Sequence, residues 1–299
     1  MIDKLEYLLA LSRERNFGKA AESCGVTQPT FSAAIKQLED MLGAVLVQRT
    51  SRFIGFTAEG ERVLEWARGI VADARSMRAD VQTLKKGVSG HLRIAAIPVA
   101  LPMLSMVTTP YHAKYPAVRF SIFSRTAAEI LALLDNFEID AGVTYIDAQP
   151  PRGLRTVPFY RERYRLVTAP DSPLGSRQKV TWAEVAKIPL CLPAADMQSR
   201  HIIDGLLKAA GADPGPPTLE SNSMIVLFTH VRTGRWATVM PDKLAEALGL
   251  TQQLRAVPIV EPDAAEQIGL LVPVREPSTT LVAAFISEVQ SAAKVLENT

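Results

Sequence analysis

The chain of 299 residues has two cysteines and four histidines, and the scarcity of both removes whole classes of chemistry. Cys24 and Cys191 are too few for a disulfide framework and lack metal-ligand spacing, which fits a reducing compartment. His91, His112, His201 and His230 are scattered, with no pair at helical spacing to hold a metal. A glycine-rich phosphate loop after a strand and a serine-centred nucleophile turn are both missing. No enzyme activity, catalytic residue, metal site or cofactor is expected.

Long apolar runs are missing too. The longest, Ile94 to Val107, is broken by Pro98, Pro102 and Ser105 and falls short of a bilayer span. The first turn carries Asp3, Lys4 and Glu6, where a secretory signal needs an uninterrupted apolar core. The expectation is a cytoplasmic protein with no membrane partner. A strong charge of either sign is also lacking: the net charge is +2, with 13 Lys plus Arg against 11 Asp plus Glu in residues 1–90. Global charge therefore gives no argument for a polyanionic partner. Its distribution says more, because no acidic residue lies between Glu22 and Glu39 or between Asp40 and Glu59, windows that hold Lys36, Arg49 and Arg52.

Helical spacing predicts a first helix over Ile2 to Arg15 with Ile2, Leu5, Leu8, Leu9 and Ser12 on one face. A second is expected from Phe17 to Cys24, stopped by Gly25, and a third from Gln28 to Leu42, stopped by Gly43. Thr27 suits the N-cap and Pro29 the first turn, where no intrahelical donor is needed. Ala20, Ala21, Val26, Phe31, Ile35 and Leu38 form the expected shared core. Val45 to Val47, a polar tip and an apolar return read as a hairpin wing. A long helix follows from Ala58 to Lys86, capped by Thr57, with Val63, Ala67, Ile70, Ala74, Met77, Val81 and Leu84 at four-and-three spacing. That stripe suits a partner helix; the alternative is an amphipathic helix lying on its own domain.

Beyond "GVSG" at Gly87 to Gly90, strand and helix patterns alternate, as in α/β packing around a largely parallel sheet. The expected strands include Leu92 to Ile97, Val118 to Phe123, Ala141 to Thr144 and Tyr164 to Thr168, and a last helix covers Thr279 to Leu296.

A helix that enters the DNA major groove brings small or amide-bearing side chains to base edges at its N-terminal end, while amides and cations meet phosphates. Thr27, Gln28, Pro29, Thr30, Ser32 and Lys36 fit that demand, together with the wing residues Arg49, Ser51 and Arg52. An exposed polar helix start is the other reading of the same residues. The stretch "FGKAAESCGVTQPTFSAAIKQLEDMLGAVLVQRTSRFIGFTAEG" resembles the DNA-binding segment of LysR-type transcriptional regulators. The likeness covers about the first 90 residues and rests on Ala20-Ala21, Gln28-Pro29, Ser32, Leu38-Glu39, Leu42-Gly43, Arg49, Thr57 and Gly60. Val47 stands where that family usually has phenylalanine. "GHLRIAAIP", "IDAGVTY" and "GRWATVMP" follow in the family's order.

The resemblance implies a winged helix-turn-helix over residues 1–58, a linker (dimerisation) helix over 59–89, and a two-lobed α/β effector domain of periplasmic-binding-protein type over 90–299. It also implies promoter DNA as partner, a small-molecule inducer between the lobes, a homo-oligomer of the dimer-of-dimers kind, and an arrangement compatible with RNA polymerase contact. Ligands of α/β sheets bind beyond the carboxyl ends of strands. The candidate effector residues are accordingly Pro98, Val99, Thr126, Tyr145, Ala195, Met197, Gln198 and Asn222, and an ordinary cap or packing group is the other reading of each taken alone. Free amides at helix starts favour a small organic anion. A likeness to regulators encoded beside formate dehydrogenases suits a very small carboxylate. The DNA-binding segment is also similar to that of peroxide-sensing regulators, whose chemistry requires a cysteine in the loop that here reads "PAADMQSRHI". Cys191, in "IPLCLPA", reads as an inert buried strand residue. The alternating Arg161, Arg163 and Arg165 read as a solvated face. A solute-binding protein would lack the N-terminal 90 or so residues and carry an export signal.

Overall fold

The computed structural model describes the chain except residues 50–51, 148, 213–214, 250–252 and 298–299, together with the side chains of residues 49 and 84–86. The chain divides into two compact units, Met1–Gly87 and Val88–Thr299.

The first unit holds helices α1 (Ile2–Glu14), α2 (Phe17–Ser23) and α3 (Gln28–Leu42), a hairpin of β1 (Val47–Arg49) and β2 (Phe53–Phe56), and helix α4 (Ala58–Lys86). Local chemistry sets the boundaries. The Lys19 amide donates to Asn16 Oδ1 at the start of α2, the Thr30 amide to Thr27 Oγ1 at the start of α3, and the Gly60 amide to Thr57 Oγ1 at the start of α4. Gly43 ends α3 at φ 65°, a conformation that favours glycine. Leu5, Leu8, Leu11, Ala20, Ala21, Phe31, Ile35 and Leu38 are buried together. Leu9 and Val26 are only half-buried, and Ala10 and Leu11 take the inward positions on α1, because α2, α3 and α4 cover that helix from several sides. Val45 is exposed at the turn into the hairpin, and Leu46 is buried in its place.

On helix α4 the expected seam divides between a buried and an exposed side. Ala67 and Ala74 are buried in line with Leu64 and Val71, on the side that packs against α1. Ile70, Met77 and Val81 instead lie on an exposed stripe with Trp66, 38%, 60%, 48% and 64% exposed respectively. These positions share one broad sector of the helix, and the packing against α1 covers one side of it and leaves the other side open. Leu84 lies among the side chains outside the described set.

In the second unit β3 (Gly90–Ala96), α5 (Ser105–Lys114), β4 (Val118–Ser124), α6 (Ala127–Asp135) and β5 (Ala141–Tyr145) build parallel βαβ units, with β3 between β4 and β5. Next come β6 (Leu154–Thr168), β7 (Val180–Thr181), α7 (Trp182–Val185), β8 (Cys191–Pro193), α8 (Gln198–Ala209), β9 (Leu219–Ser221) and α9 (Met224–Val231). The chain continues through β10 (Thr238–Pro241), α10 (Asp242–Ala247), β11 (Arg255–Val260), β12 (Ala265–Pro273) and α11 (Thr280–Glu297).

The sheet order is β4-β3-β5-β12-β6-β11-β7, with β10 also on β6. It is mixed rather than largely parallel: β12 runs antiparallel to β5 and β6, and β10 and β11 antiparallel to β6. The cause is the 15-residue strand β6. Its first part, Leu154 to Arg163, pairs with β12, and its last part, Tyr164 to Thr168, pairs with β10 and β11. The chain thus crosses between two lobes on one strand. Arg161, Arg163 and Pro158 hide its first part from an apolar-pattern reading. Each lobe has its own core, one around Leu92, Ile94, Tyr111 and Phe285, the other around Leu166, Trp182, Ile203 and Ile259.

Candidate functional site

The first unit presents the start of α3 to solvent. Phe31, Ile35 and Leu38 anchor the helix inward, which turns Gln28, Pro29, Thr30 and Lys36 outward, all exposed; Ser32 is half-buried. The Thr27 and Thr30 hydroxyls lie 2.9 Å apart, so the cap holds the first turn's polar side chains together. A β-carbon on Gly18 would stand 3.3 Å from Asn16 Oδ1 and at an ordinary contact distance of 3.6 Å from Gln28 Oε1, which places Gly18 and Gln28 side by side where α2 and α3 meet. Arg52 is exposed on the wing, Arg49 is placed by its backbone in β1, and Ser51 lies outside the described residues. Glu39 had no expected role beyond the resemblance. Its Oε1 accepts the Leu46 and Val47 amides at 2.9 and 3.1 Å, fastening the hairpin to α3.

The second unit holds a pocket at the carboxyl ends of β3 and β5 and the start of α8. Ile97, Pro98, Val99, Thr126, Ala127, Tyr145, Met197, Gln198 and Ser199 line about 230 Å³ of empty space, its solvent mouth included. Six of the expected effector residues meet there: Pro98, Val99, Thr126, Tyr145, Met197 and Gln198. Ala195 and Asn222 are exposed and do not line it.

The polar groups of the lining are not equivalent. Thr126 is spent on a capping box: its Oγ1 accepts the Glu129 amide and donates to Glu129 Oε2 at 3.0 Å. The Thr126 amide first and then its hydroxyl, both donating to the Glu129 carboxylate, hold that carboxyl below its ordinary value. Ser199 differs. It is 4% exposed, and its hydroxyl has no hydrogen-bond partner. It stands in the first turn of α8, whose N-cap Met197 makes no side-chain capping bond, and among the described residues the amides of Gln198 and Ser199 have no protein acceptor. Hydroxyl and amides together form a donor cluster at the positive end of a 12-residue helix. Arg200 pins that helix start by donating to the Pro193 carbonyl at 3.0 Å and pairing with Asp204 and Glu220. Ser199 escaped the sequence reading because burial without a partner is a tertiary property.

The pattern for "Bacterial regulatory helix-turn-helix protein, lysR family" matches residues 2–61, and that for "LysR substrate binding domain" matches residues 85–294. The chain belongs to the LysR family. It is a DNA-binding transcriptional regulator with an effector-binding domain. Among curated relatives, a hydrogen peroxide-inducible genes activator of Pectobacterium carotovorum subsp. carotovorum is 30% identical over 241 residues, spanning 80% of this chain and 79% of that protein. The DNA-binding transcriptional dual regulator OxyR of Escherichia coli K12 is 28% identical over 271 residues, 90% of this chain and 88% of that one. These relatives are regulators, not enzymes. In fold, a full-length OxyR variant of Pseudomonas aeruginosa matches with a TM-score of 0.76 at 21% identity, covering 98% of this chain and 99% of that one. CbnR in complex with its target DNA matches with a TM-score of 0.67 at 22% identity, covering 98% and 100%.

This LysR-type regulator has no cysteine in its pocket lining. Cys191 is fully buried on β8, with its sulfur 3.6 Å from the Ala237 carbonyl, and burial pushes its thiol up to about 11. Cys24 is half-buried at the end of α2 in the other unit. Among the described residues no group of His, Cys, Asp and Glu could hold a metal, and no helix is long and apolar enough to cross a membrane.

Proposed function

We propose that this regulator reads promoter DNA with the exposed start of α3 and responds to a small organic anion, formate or a molecule of that size, held in the pocket of its second unit. The observation that carries the ligand class is the donor cluster of Ser199 Oγ and the Gln198 and Ser199 amides, in a lining that is otherwise mostly apolar. A carboxylate supplies the acceptors these donors lack, and the helix end favours its charge. Val99 and Met197 leave little room or polarity for a larger polar body.

On the DNA side, Gln28 addresses a base edge, Thr27, Pro29, Thr30 and Ser32 approach the groove floor and backbone, and Lys36, Arg49, Ser51 and Arg52 meet phosphates. The exposed stripe of Trp66, Ile70, Met77 and Val81 on α4 is the surface for a second copy of the chain, which would present two recognition helices to a dyad-symmetric site. In this reading residues 1–58 bind DNA, 59–89 join subunits and 90–299 sense the effector, in a dimer of dimers working in the cytoplasm, where its DNA is. RNA polymerase is a further partner compatible with it. The effector acts by favouring one assembly geometry over another, since equal affinity for both would shift nothing.

The experiment is a thermal-shift titration of the full chain with sodium formate against sodium chloride at equal ionic strength. Ligand that binds only the folded state raises the melting temperature. A rise with formate alone supports the reading; identical curves for both salts reject the small-anion class.

A further inference from the structure

Directly behind the pocket wall lies a buried polar cluster that the pocket itself does not use. Glu162, on the crossing strand β6, is 0% exposed. Its Oε1 accepts a 2.8 Å hydrogen bond from the hydroxyl of Tyr145, the residue that ends β5 and lines the pocket. Among the described residues its Oε2 has no partner, nor has the hydroxyl of Tyr160, while the hydroxyl of Tyr164, on the same face of the strand, interacts with that of Tyr145.

Among the described residues no cation answers this carboxyl. From β12 the residue directly across the ladder is Glu266, from the start of α10 the nearby acid is Asp242, and from β5 the facing group is Tyr145. On β6 itself Tyr160 and Tyr164 complete the surroundings. Arg161, Arg163 and Arg165 alternate with Glu162 on the opposite face, where Arg163 pairs with Asp263 at 3.0 Å. Lys243, beside Asp242, pairs with Glu246. An ionised carboxylate buried without a cation is costly, and a like charge across the strand pair adds to that. A neutral carboxylic acid removes both penalties and gains an O–H donor at the oxygen that has no partner.

We propose that Glu162 is a positioning residue carried as the neutral carboxylic acid, which ties the pocket wall at Tyr145 to the strand that crosses between the lobes and so makes the pocket's geometry proton-linked. The consequence for effector response rests on the pocket reading above; the protonation itself does not. Desolvation raises the Glu162 carboxyl, the Tyr145 hydrogen bond pulls it back, and Asp242 and Glu266 raise it again, leaving it pushed up to about 8. The folded value is raised above the unfolded one, so the stabilisation is fully present below the ordinary carboxylate range. It declines as pH rises from about 4.5 to about 8 and changes no further above that.

The test uses thermal melts of the full chain, without ligand, from about pH 5 to about pH 9. Glu162→Gln keeps the acceptor for Tyr145 and cannot ionise. Its melting temperature is expected to gain on the native chain by roughly 10 °C as pH rises to about 8, then to hold a constant lead. Parallel curves for the two proteins overturn the proposal. Tyr145→Phe removes the bond that favours ionisation, so the native chain's decline is expected to extend to higher pH; an unmoved upper end overturns the tie to the pocket wall. If Glu162→Gln does not fold, infrared difference spectra of the native chain decide: a protonated-carboxyl band lost in the same alkaline window supports the proposal, and its absence at neutral pH overturns it. Sodium formate added at both ends of the range separates the two readings. A formate shift that changes with pH in the native chain but not in Glu162→Gln supports the link, whereas no shift in either protein defeats the anion reading and leaves the ligand-free result standing.

Discussion

Gly60, in the first turn of α4, lies so close beneath Leu46 that a β-carbon on it would stand 2.1 Å from the Leu46 carbonyl oxygen. The wing and the long helix meet backbone to backbone there, and the Gly60 amide is also the one held by Thr57. Gly60→Ala must push the hairpin away from the helix, because a carbonyl in a paired segment cannot rotate aside. The expected loss is roughly 2 kcal/mol or more of stability, read as a lower urea midpoint with unchanged slope. A variant as stable as the native chain would sink this account of the contact.

Thr27 and Gln28 are neighbours with separable tasks. Thr27→Ala removes the α3 cap and is expected to lower stability by about 1 kcal/mol. Gln28→Ala, at an exposed position, should leave stability within about 0.5 kcal/mol yet weaken specific promoter binding by roughly 1 to 3 kcal/mol if it makes a bidentate base contact. Gel-shift titration at fixed salt, beside denaturant melts, distinguishes the two.

For the pocket, Ser199→Ala removes a buried hydroxyl that has no partner, so stability should hold or rise by up to about 1 kcal/mol. The same change should erase the formate-dependent rise in melting temperature. Retention of the full rise would take Ser199 out of the anion site.

The exposed stripe on α4 calls for a charge. Met77→Asp, at a position 60% exposed, should shift the sedimentation profile to smaller species and lower the melting temperature only by what the lost subunit contact supplied, an effect that grows with protein concentration. An unaltered assembly state would place the subunit contact elsewhere.

Several relatives are named hydrogen peroxide-inducible genes activators, but this chain has only two cysteines, and the one in its second unit is buried and hard to ionise. Peroxide treatment is expected to leave promoter affinity unchanged within twofold or so, and Cys191→Ala to behave like the native chain in that assay. A peroxide-dependent change that Cys191→Ala abolishes would reverse this reading.

Much of the first unit was legible in advance, because its signals are local. Caps at Thr27 and Thr57, glycine stops and helical spacing act within a few residues of the chain, so α3 and α4 begin and end at Gln28, Leu42, Ala58 and Lys86 as the spacing predicts. The sequence by itself also determined which loops could gather at strand ends, since six of the eight expected pocket positions share one lining. It could not separate the two faces of α4, extend β6 back through its arginines, or distinguish Thr126, whose hydroxyl is consumed by Glu129, from Ser199, whose hydroxyl is buried without a partner. Those outcomes depend on what the rest of the chain brings within hydrogen-bonding or van der Waals reach. Only tertiary structure decided that Glu162 would meet Tyr145 and Glu266 away from any cation, because the three arrive from three different strands.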